Sequence, residues 1–398
     1  MFDFIIIGGG AAGLAAAIEF KKLCPHFSVA VLERLDRVGK KLSITGNSRC
    51  NITNRSISLE NYHGKEPEFC LPALSSFTVA DTEAFFSELG VIFKNEKEGK
   101  VYPYSLQASS VVDALRFGAE RLGVVIITNT EITNIRLKNN IFHLTSANKS
   151  YECHALLVAT GGKAGGKIAS DSGYRLLGNL GHKLTPLSPA IVQVKTDTTY
   201  TRQLKGVKIN ATVSVNGRSD FGEVLFCDYG LSGPPVLQLS RYMTEGDKIH
   251  LDLMPEFSED KLKEILKERS ENLMTTCGEF FCGMLQKRLG QVVLKICGFS
   301  VNDPAGFDDK AIDLIAHTLK NMEFPYIDTN GFPNAQVTHG GIATADFDSK
   351  TLMSRNCRGI FACGEVLDID GDCGGYNLQW AWSSAVLAAR NVARYLEG

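Results

Sequence analysis

The sequence contains no Cys-x-x-Cys pair, no stretch of about 18 consecutive apolar residues and almost no net charge, and each absence excludes a class of protein. Its eleven cysteines are odd in number and scattered, which fits neither a disulfide framework nor a zinc ribbon and points to a reducing compartment. Cys277 and Cys282 have no histidine close by in sequence and lack a tetrahedral spacing, so no metal site is expected. Without a long apolar stretch, no membrane span is expected either. Lysine and arginine total 42 against 44 acids, so no broad positive field attracts nucleic acid or anionic lipid. The chain opens Met1-Phe2-Asp3-Phe4 with no basic region before its first apolar run and no cleavage site after it. That argues for a cytoplasmic protein. Internal repeats and low-complexity tracts are also missing.

What is present is a chain of 398 residues, 44% apolar, enough for two or three domains that each bury a core. Phe4 to Ile7 form a short β-branched run, followed at once by Gly8-Gly9-Gly10-Ala11-Ala12-Gly13 and a helical segment, Leu14 to Leu23. This reads as strand, tight turn and helix. Gly8 permits the turn, Gly10 lets the backbone approach a pyrophosphate, and Gly13 lets the helix pack closely. Unpaired N–H groups at the helix start, around Ala12, face the phosphates. A second strand, Ser28 to Leu32, ends at Glu33, about 20 residues past Gly13, where a ribose hydroxyl partner is expected. An acid there disfavours a 2′-phosphate, leaving FAD or NAD as the ligand.

After Glu33 comes a long polar loop, Arg34 to Asn54, foreign to simple NAD dehydrogenases. It resembles the loop by which flavoproteins with two dinucleotide-binding folds hold the pyrophosphate and the flavin edge. More narrowly, its GKKL-x-ITG-x-x-RCN-x-TN pattern resembles the signature of the bacterial HI0933-like flavoproteins. Further landmarks in the same order are Gly99 to Pro103, Ala159-Thr160-Gly161-Gly162, Gly181-His182, Gly222 to Phe226 and Gly230 to Pro234. The longest blocks are Val337 to Gly341, Gly359 to Gly371 and Gly374 to Ala381. The sequence departs from the family in two places: Ser48 stands where Gly is usual, and Lys163 to Ser172 is unlike the usual Ser/Thr/Gly-rich segment.

The resemblance implies non-covalent FAD held by Arg34, Lys40, Lys41, Leu42, Gly46, Asn47, Arg49, Cys50 and Asn51 from this loop. Ile132 would meet the adenine through its backbone, and Ala159, Thr160 and Gly161 form the strand end that approaches the dinucleotide. The C-terminal block also makes physical sense by itself. Ile360 to Cys363 read as a buried strand ending at Gly364-Glu365, where a side chain can reach the ribityl or pyrophosphate group, with Asp368 just beyond. Gly375, Tyr376, Asn377 and Leu378 open a final helix, Trp380 to Leu396, whose N-terminus would stabilise negative charge on a reduced flavin.

The expected fold is α/β: a discontinuous Rossmann-like FAD-binding domain, residues 1–185 and 335–398, with an insertion. Residues 186–254, carrying Ala211 to Val215 before an Asn216-Gly217 turn, read as an antiparallel β domain, and 255–321 as a helical subdomain with helices Lys261 to Arg269, Phe280 to Leu289 and Lys310 to Leu319. Residues 322–334 return through the β domain. These inserted parts would cap the substrate pocket.

No second GxGxxG follows a strand, so NAD(P)H is expected only as a transient co-substrate. His339, beside Gly340-Gly341, and Tyr376 are the candidate acid–base groups; Cys50 and Cys373 lie in flavin-proximal loops, where a small filler is the commoner role. The resemblance implies an NAD(P)H-driven reductase of an activated C=C bond in a bile-acid-like or steroid-like substrate, or an O2-using oxidase of a small amine or aminoketone. The balanced charge makes a third reading, an RNA-modifying flavoprotein, the weakest, so a small-molecule substrate and no nucleic-acid partner are expected.

Overall fold

In the computed structural model, which describes residues 1–272 and 276–398, the chain divides into two compact units. One comprises Met1–Pro189 with Gln336–Gly398, and the other Ala190–Ala335. No helix among the described residues is long and apolar enough to cross a membrane.

The first unit is built on a parallel sheet in the order Val125–Ile127, Val29–Leu32, Phe2–Ile7, Ser150–Val158 and Ile360–Ala362. Phe4, Ile5, Ile6 and Ile7 are all buried, which is how a strand reads when both faces of its sheet are covered. Strand Ser150–Val158 forks. Its first half pairs antiparallel with the hairpin strand Ile141–Ser146, and its second half pairs parallel with Ile360–Ala362, bringing the C-terminal strand beside the N-terminal one. The first helix, Ala11–Leu23, starts three residues before the apolar pattern does, because Gly10 in extended conformation caps it directly at the end of the turn. Its Ala-rich surface is buried almost all round, and the final helix, Tyr376–Glu397, packs along it. That final helix likewise begins before Trp380, at the left-handed Gly375.

In the second unit a closed antiparallel barrel runs in the order Val194–Thr196, Gly230–Ser232, Arg218–Phe226, Lys208–Val215, Lys248–Asp252 and Met322–Thr329. Asn216 and Gly217, both at positive φ, form the two-residue turn between Val215 and its partner Arg218. Helices Glu259–Asn272, Lys287–Ile296 and Asp309–Lys320 share a core with the barrel, so strands and helices make one unit here. The helix expected over Phe280 to Leu289 is not found. Gly283, at φ +83°, interrupts the segment with turns, and the helix starts only at Lys287.

In the first unit, His182 is buried to 5% exposure and stacked on Phe347. Its Nδ1 faces the Leu177 carbonyl at 2.9 Å and must donate, since that oxygen only accepts. Nε2 then accepts from the Ser354 hydroxyl at 2.8 Å, whose oxygen is occupied by the Asn356 and Cys357 amides. A second proton would have no acceptor, and burial holds the imidazole below its ordinary value of 6.5. Below pH 6.5 this histidine therefore binds more proton in the unfolded chain than in the folded one, and the stability it contributes falls as the pH falls. We expect the urea midpoint to drop between pH 7.5 and pH 5.5 less steeply in His182→Asn than in the parent; equal slopes would remove His182 from the account.

Candidate flavin site

The glycine turn divides its work among three positions. At Gly8, φ +107°, a Cβ would lie 2.4 Å from the Ala159 carbonyl oxygen, and at Gly13 it would lie 1.9 Å from the Gly8 oxygen. Both close approaches are to backbone, so neither position admits a side chain. At Gly10 a Cβ would meet nothing within 4 Å, and no side chain caps the helix it begins. The turn is thus tight against the protein on two sides and open on the third, where the orphan N–H groups of the first helical turn favour an anion. This cradle suits a pyrophosphate.

Glu33 closes the turn. Its carboxylate accepts from the Gly9 amide and the Leu35 amide, both at 2.8 Å, and its remaining lone pairs are those a ribose hydroxyl would use. The adjoining Thr130 amide donates to the Glu33 carbonyl, which draws the segment before the buried Ile132 to the same strand end. Arg34 turns elsewhere, its guanidinium donating to the carbonyls of Ile168 and Ala169 and so fastening the loop after Gly166.

The second half of the site meets the first through Gly364 and Glu365. Gly364, at φ +72°, sits where a Cβ would come 3.3 Å from the Ala12 methyl, and its amide donates to Ser384. Glu365 takes the Lys41 ammonium at 2.6 Å on one oxygen and the Thr338 amide at 2.9 Å on the other, with both charged side chains partly buried. Thr338 in turn accepts from Ala164, and Gly162 packs without a side chain against Thr338 and Glu365. Gly161, at φ +71°, is open except for Glu365 Oε2 at 3.9 Å. Lys41, Gly161, Thr338 and Glu365, from four separate stretches of sequence, therefore form one polar wall.

The polar loop is less uniform than its motif. Leu42 is buried and Lys40 pairs with Asp36 on the surface. Gly46, Asn47, Ser48 and Cys50 all adopt positive φ, an uncommon run for residues with side chains. Arg49 stacks on Tyr102 at 4.6 Å and faces Glu96 at 3.4 Å, and Asn51 accepts from the Val101 amide. Cys50 is fully buried and its thiol pushed up to about 12 by that burial, so it is inert packing at neutral pH.

At the start of the final helix, Gly375 is pressed on the Thr53 carbonyl group and Tyr376 lies edge-on to Tyr62, its phenol raised by burial. Leu378 packs partly into the core. Asn377 accepts from the Gly371 amide and donates to the Gly371 and Asp372 carbonyls, so its amide clamps the preceding loop. That loop carries acids at alternate positions. Asp368 is 2% exposed with its carboxyl raised by burial; Asp370, fully buried, faces His339 Nδ1 at 2.7 Å; Asp372 faces His63 Nε2 at 2.7 Å. Sequence reasoning named Asp368 and His339 but not Asp370, His63, Thr338 or Tyr174. Thr338 and Asp370 lie inside the quoted motifs and could have been proposed from them.

A parallel-sheet dinucleotide fold with one half of its cradle at the N-terminus and the other at a C-terminal strand end defines a flavoprotein. The chain belongs to the HI0933-like family: the model described as HI0933-like protein Rossmann domain matches residues 2–391. It is 37% identical to a protein of Clostridium scindens named 3-dehydro-bile acid delta(4,6)-reductase, with 98% of each chain covered. It is 30% identical, with the same coverage, to one of Haemophilus influenzae named ribosomal RNA dihydrouridine synthase. In fold it is similar to the 3-ketosteroid-delta4-(5alpha)-dehydrogenase of Rhodococcus jostii, with a TM-score of 0.51 at 13% identity over 98% of this chain and 96% of that one. The protein is an FAD-dependent oxidoreductase.

The cradle geometry separates two neighbouring glycines. Gly10→Ala should change the stability of the flavin-free protein by less than about 1 kcal/mol while weakening FAD at least about tenfold. Gly13→Ala should instead cost about 2–3 kcal/mol of stability, because a methyl there must displace backbone. Thermal unfolding and FAD titration of both variants check this; equal stability losses would contradict it. In the loop, Ser48→Gly should raise the unfolding midpoint by the equivalent of about 1 kcal/mol by relieving a left-handed residue.

Proposed function

We propose that the protein is an NAD(P)H-driven reductase of a carbon–carbon double bond conjugated to a carbonyl, acting on a hydrophobic bile-acid-like or steroid-like small molecule. The observation that carries this is the 37% identity, over 98% of both chains, to a protein named as a bile-acid reductase. Glu33 is assigned to the adenosine ribose, the N–H groups after Gly10 to the pyrophosphate, and Lys41 with Glu365 to the ribityl–pyrophosphate stretch. FAD held there and reduced by NAD(P)H would supply the hydride that saturation of the double bond requires, returning to the oxidised form. The protein must supply the matching proton. His339 is suited to donate it, because its side chain is 37% exposed and the fully buried Asp370 anchors the imidazole through Nδ1, which makes Nε2 the nitrogen that exchanges the proton. Asn377 holds the loop bearing Asp370 and is assigned as a positioning residue.

A second reading takes its support from the Haemophilus influenzae relative, whose name describes saturation of a uracil double bond in RNA. The chemistry is the same, a double bond conjugated to a carbonyl. The near balance of 42 basic and 44 acidic residues favours the small molecule, since RNA affinity draws on phosphate neutralisation.

Anaerobic mixing with NADH and with NADPH should bleach the flavin band, and a conjugated steroid enone should then restore it. His339→Gln should leave the bleaching rate intact and slow the restoration by about 10²–10⁴-fold. Failure of both nicotinamides to bleach the flavin would end the reductase reading, and reoxidation by uridine-containing RNA but by no enone would favour the second.

A further inference from the structure

We propose that Tyr174 is a ligand of the flavin dinucleotide, its hydroxyl donating a hydrogen bond to an oxygen of the ribityl–pyrophosphate linker. This rests on the FAD assignment. Tyr174 lies in the short helix Ser172–Gly178, whose second residue, Gly173, is pressed onto both strand ends that form the site: a Cβ there would lie 1.9 Å from Thr160 Oγ1 and 3.1 Å from Val366 Cγ2. The tyrosine side chain that follows is 5% exposed, and its hydroxyl has no hydrogen-bond partner. Its nearest polar neighbours are the Thr338 hydroxyl and the Lys163 backbone, which act to lower its pKa, and the carboxylates of Glu365 and Asp368, which raise it. Burial, with the field of Glu365 added, raises its pKa, so it is protonated and able to donate at any working pH.

The neighbouring acceptors already carry other donors: Thr338 Oγ1 accepts from the Ala164 amide, and Glu365 accepts from the Thr338 amide and the Lys41 ammonium. The Tyr174 hydroxyl is a donor left over beside a wall that opens at Gly161. A buried hydroxyl without a partner is unfavourable, and phenylalanine would fill the same volume without that penalty. An oxygen-rich linker lying along the wall gives the hydroxyl an acceptor, and such a linker is what the cradle at Gly10 and the Lys41–Glu365 pair are suited to hold.

Tyr174→Phe separates this from a purely structural role, because the two roles predict opposite effects on the flavin-free protein. If the hydroxyl serves FAD, the flavin-stripped variant should unfold at the same temperature as the flavin-stripped parent or a higher one, while its Kd for FAD, read by quenching of flavin fluorescence, rises about tenfold, equivalent to about 1.4 kcal/mol. A lower unfolding temperature with unchanged Kd would overturn the proposal by showing that the hydroxyl bonds within the protein. An unchanged Kd alone would also overturn it. If the stripped parent takes up no FAD, the FAD assignment fails and this inference falls with it.

Discussion

The site depends first on the contact between the first helix and the turn before it. Gly13 carries no side chain because the Gly8 carbonyl oxygen occupies the space a Cβ would need, and Gly8 carries none because Ala159 lies against it. These two contacts seat the helix start at the ends of the strands beginning at Phe2 and Ser150. Gly10 can then be open. A bulkier residue at either packed position would move the helix, and every group whose placement is referred to that helix would move with it: Ala12 against Gly364, Gly9 against Glu33, and the final helix along its Ala-rich surface.

From that anchor the C-terminal half of the site follows by sheet pairing. Strand Ile360–Ala362 joins the second half of Ser150–Val158 in parallel, so Gly364 and Glu365 emerge at the same edge as Gly8. The Lys41–Glu365 pair is partly buried and gains more from this than a surface pair would, but its charges also need the Thr338 amide to be fully compensated. Local backbone strain sits next to it. Asn47, Ser48 and Cys50 hold left-handed conformations at a cost on the order of 1 kcal/mol each, somewhat less for Asn. Such strain persists only where the surroundings fix the backbone, here through the buried Leu42 and Cys50 and the Asn51 contact to Val101.

Much of this was legible because the decisive residues are glycines and acids at strand ends, where backbone geometry dictates residue type. Phe4 to Ile7, the glycine turn and Glu33 announce a dinucleotide fold without any partner being known. Side chains whose partners are distant in sequence were not legible. Arg34 fastens a loop some 134 positions away, Arg49 stacks on Tyr102, and Asn377 clamps Gly371. Each is a polar residue in a motif, and the motif alone does not say whether its donors serve a ligand or the protein. Residues 322–334 read as a return to the β domain, but barrel closure did not: strand Met322–Thr329 pairs with both Val194–Thr196 and Lys248–Asp252, a relation between segments that no local alternation records.

The same distinction explains the acids at 368, 370 and 372. Alternate positions on an extended segment share a face, so this spacing reads as one feature, yet the three carboxylates are compensated in three ways. Asp370 is fully buried against an imidazole that is partly exposed, whereas His63 and Asp372 are both largely covered and Asn61 adds a further bond to Asp372. A pair with one member buried and the other facing outward can pass a proton without losing its anchor. A pair enclosed on both sides mainly fixes the loop. The neighbouring Asp368 has its carboxyl raised by its own burial and lowered in part by the field of His339, so it belongs to the same charge cluster. The two histidine–aspartate pairs on this segment differ in the exposure of their members, a property that belongs to the folded chain and leaves no trace in the spacing of the acids.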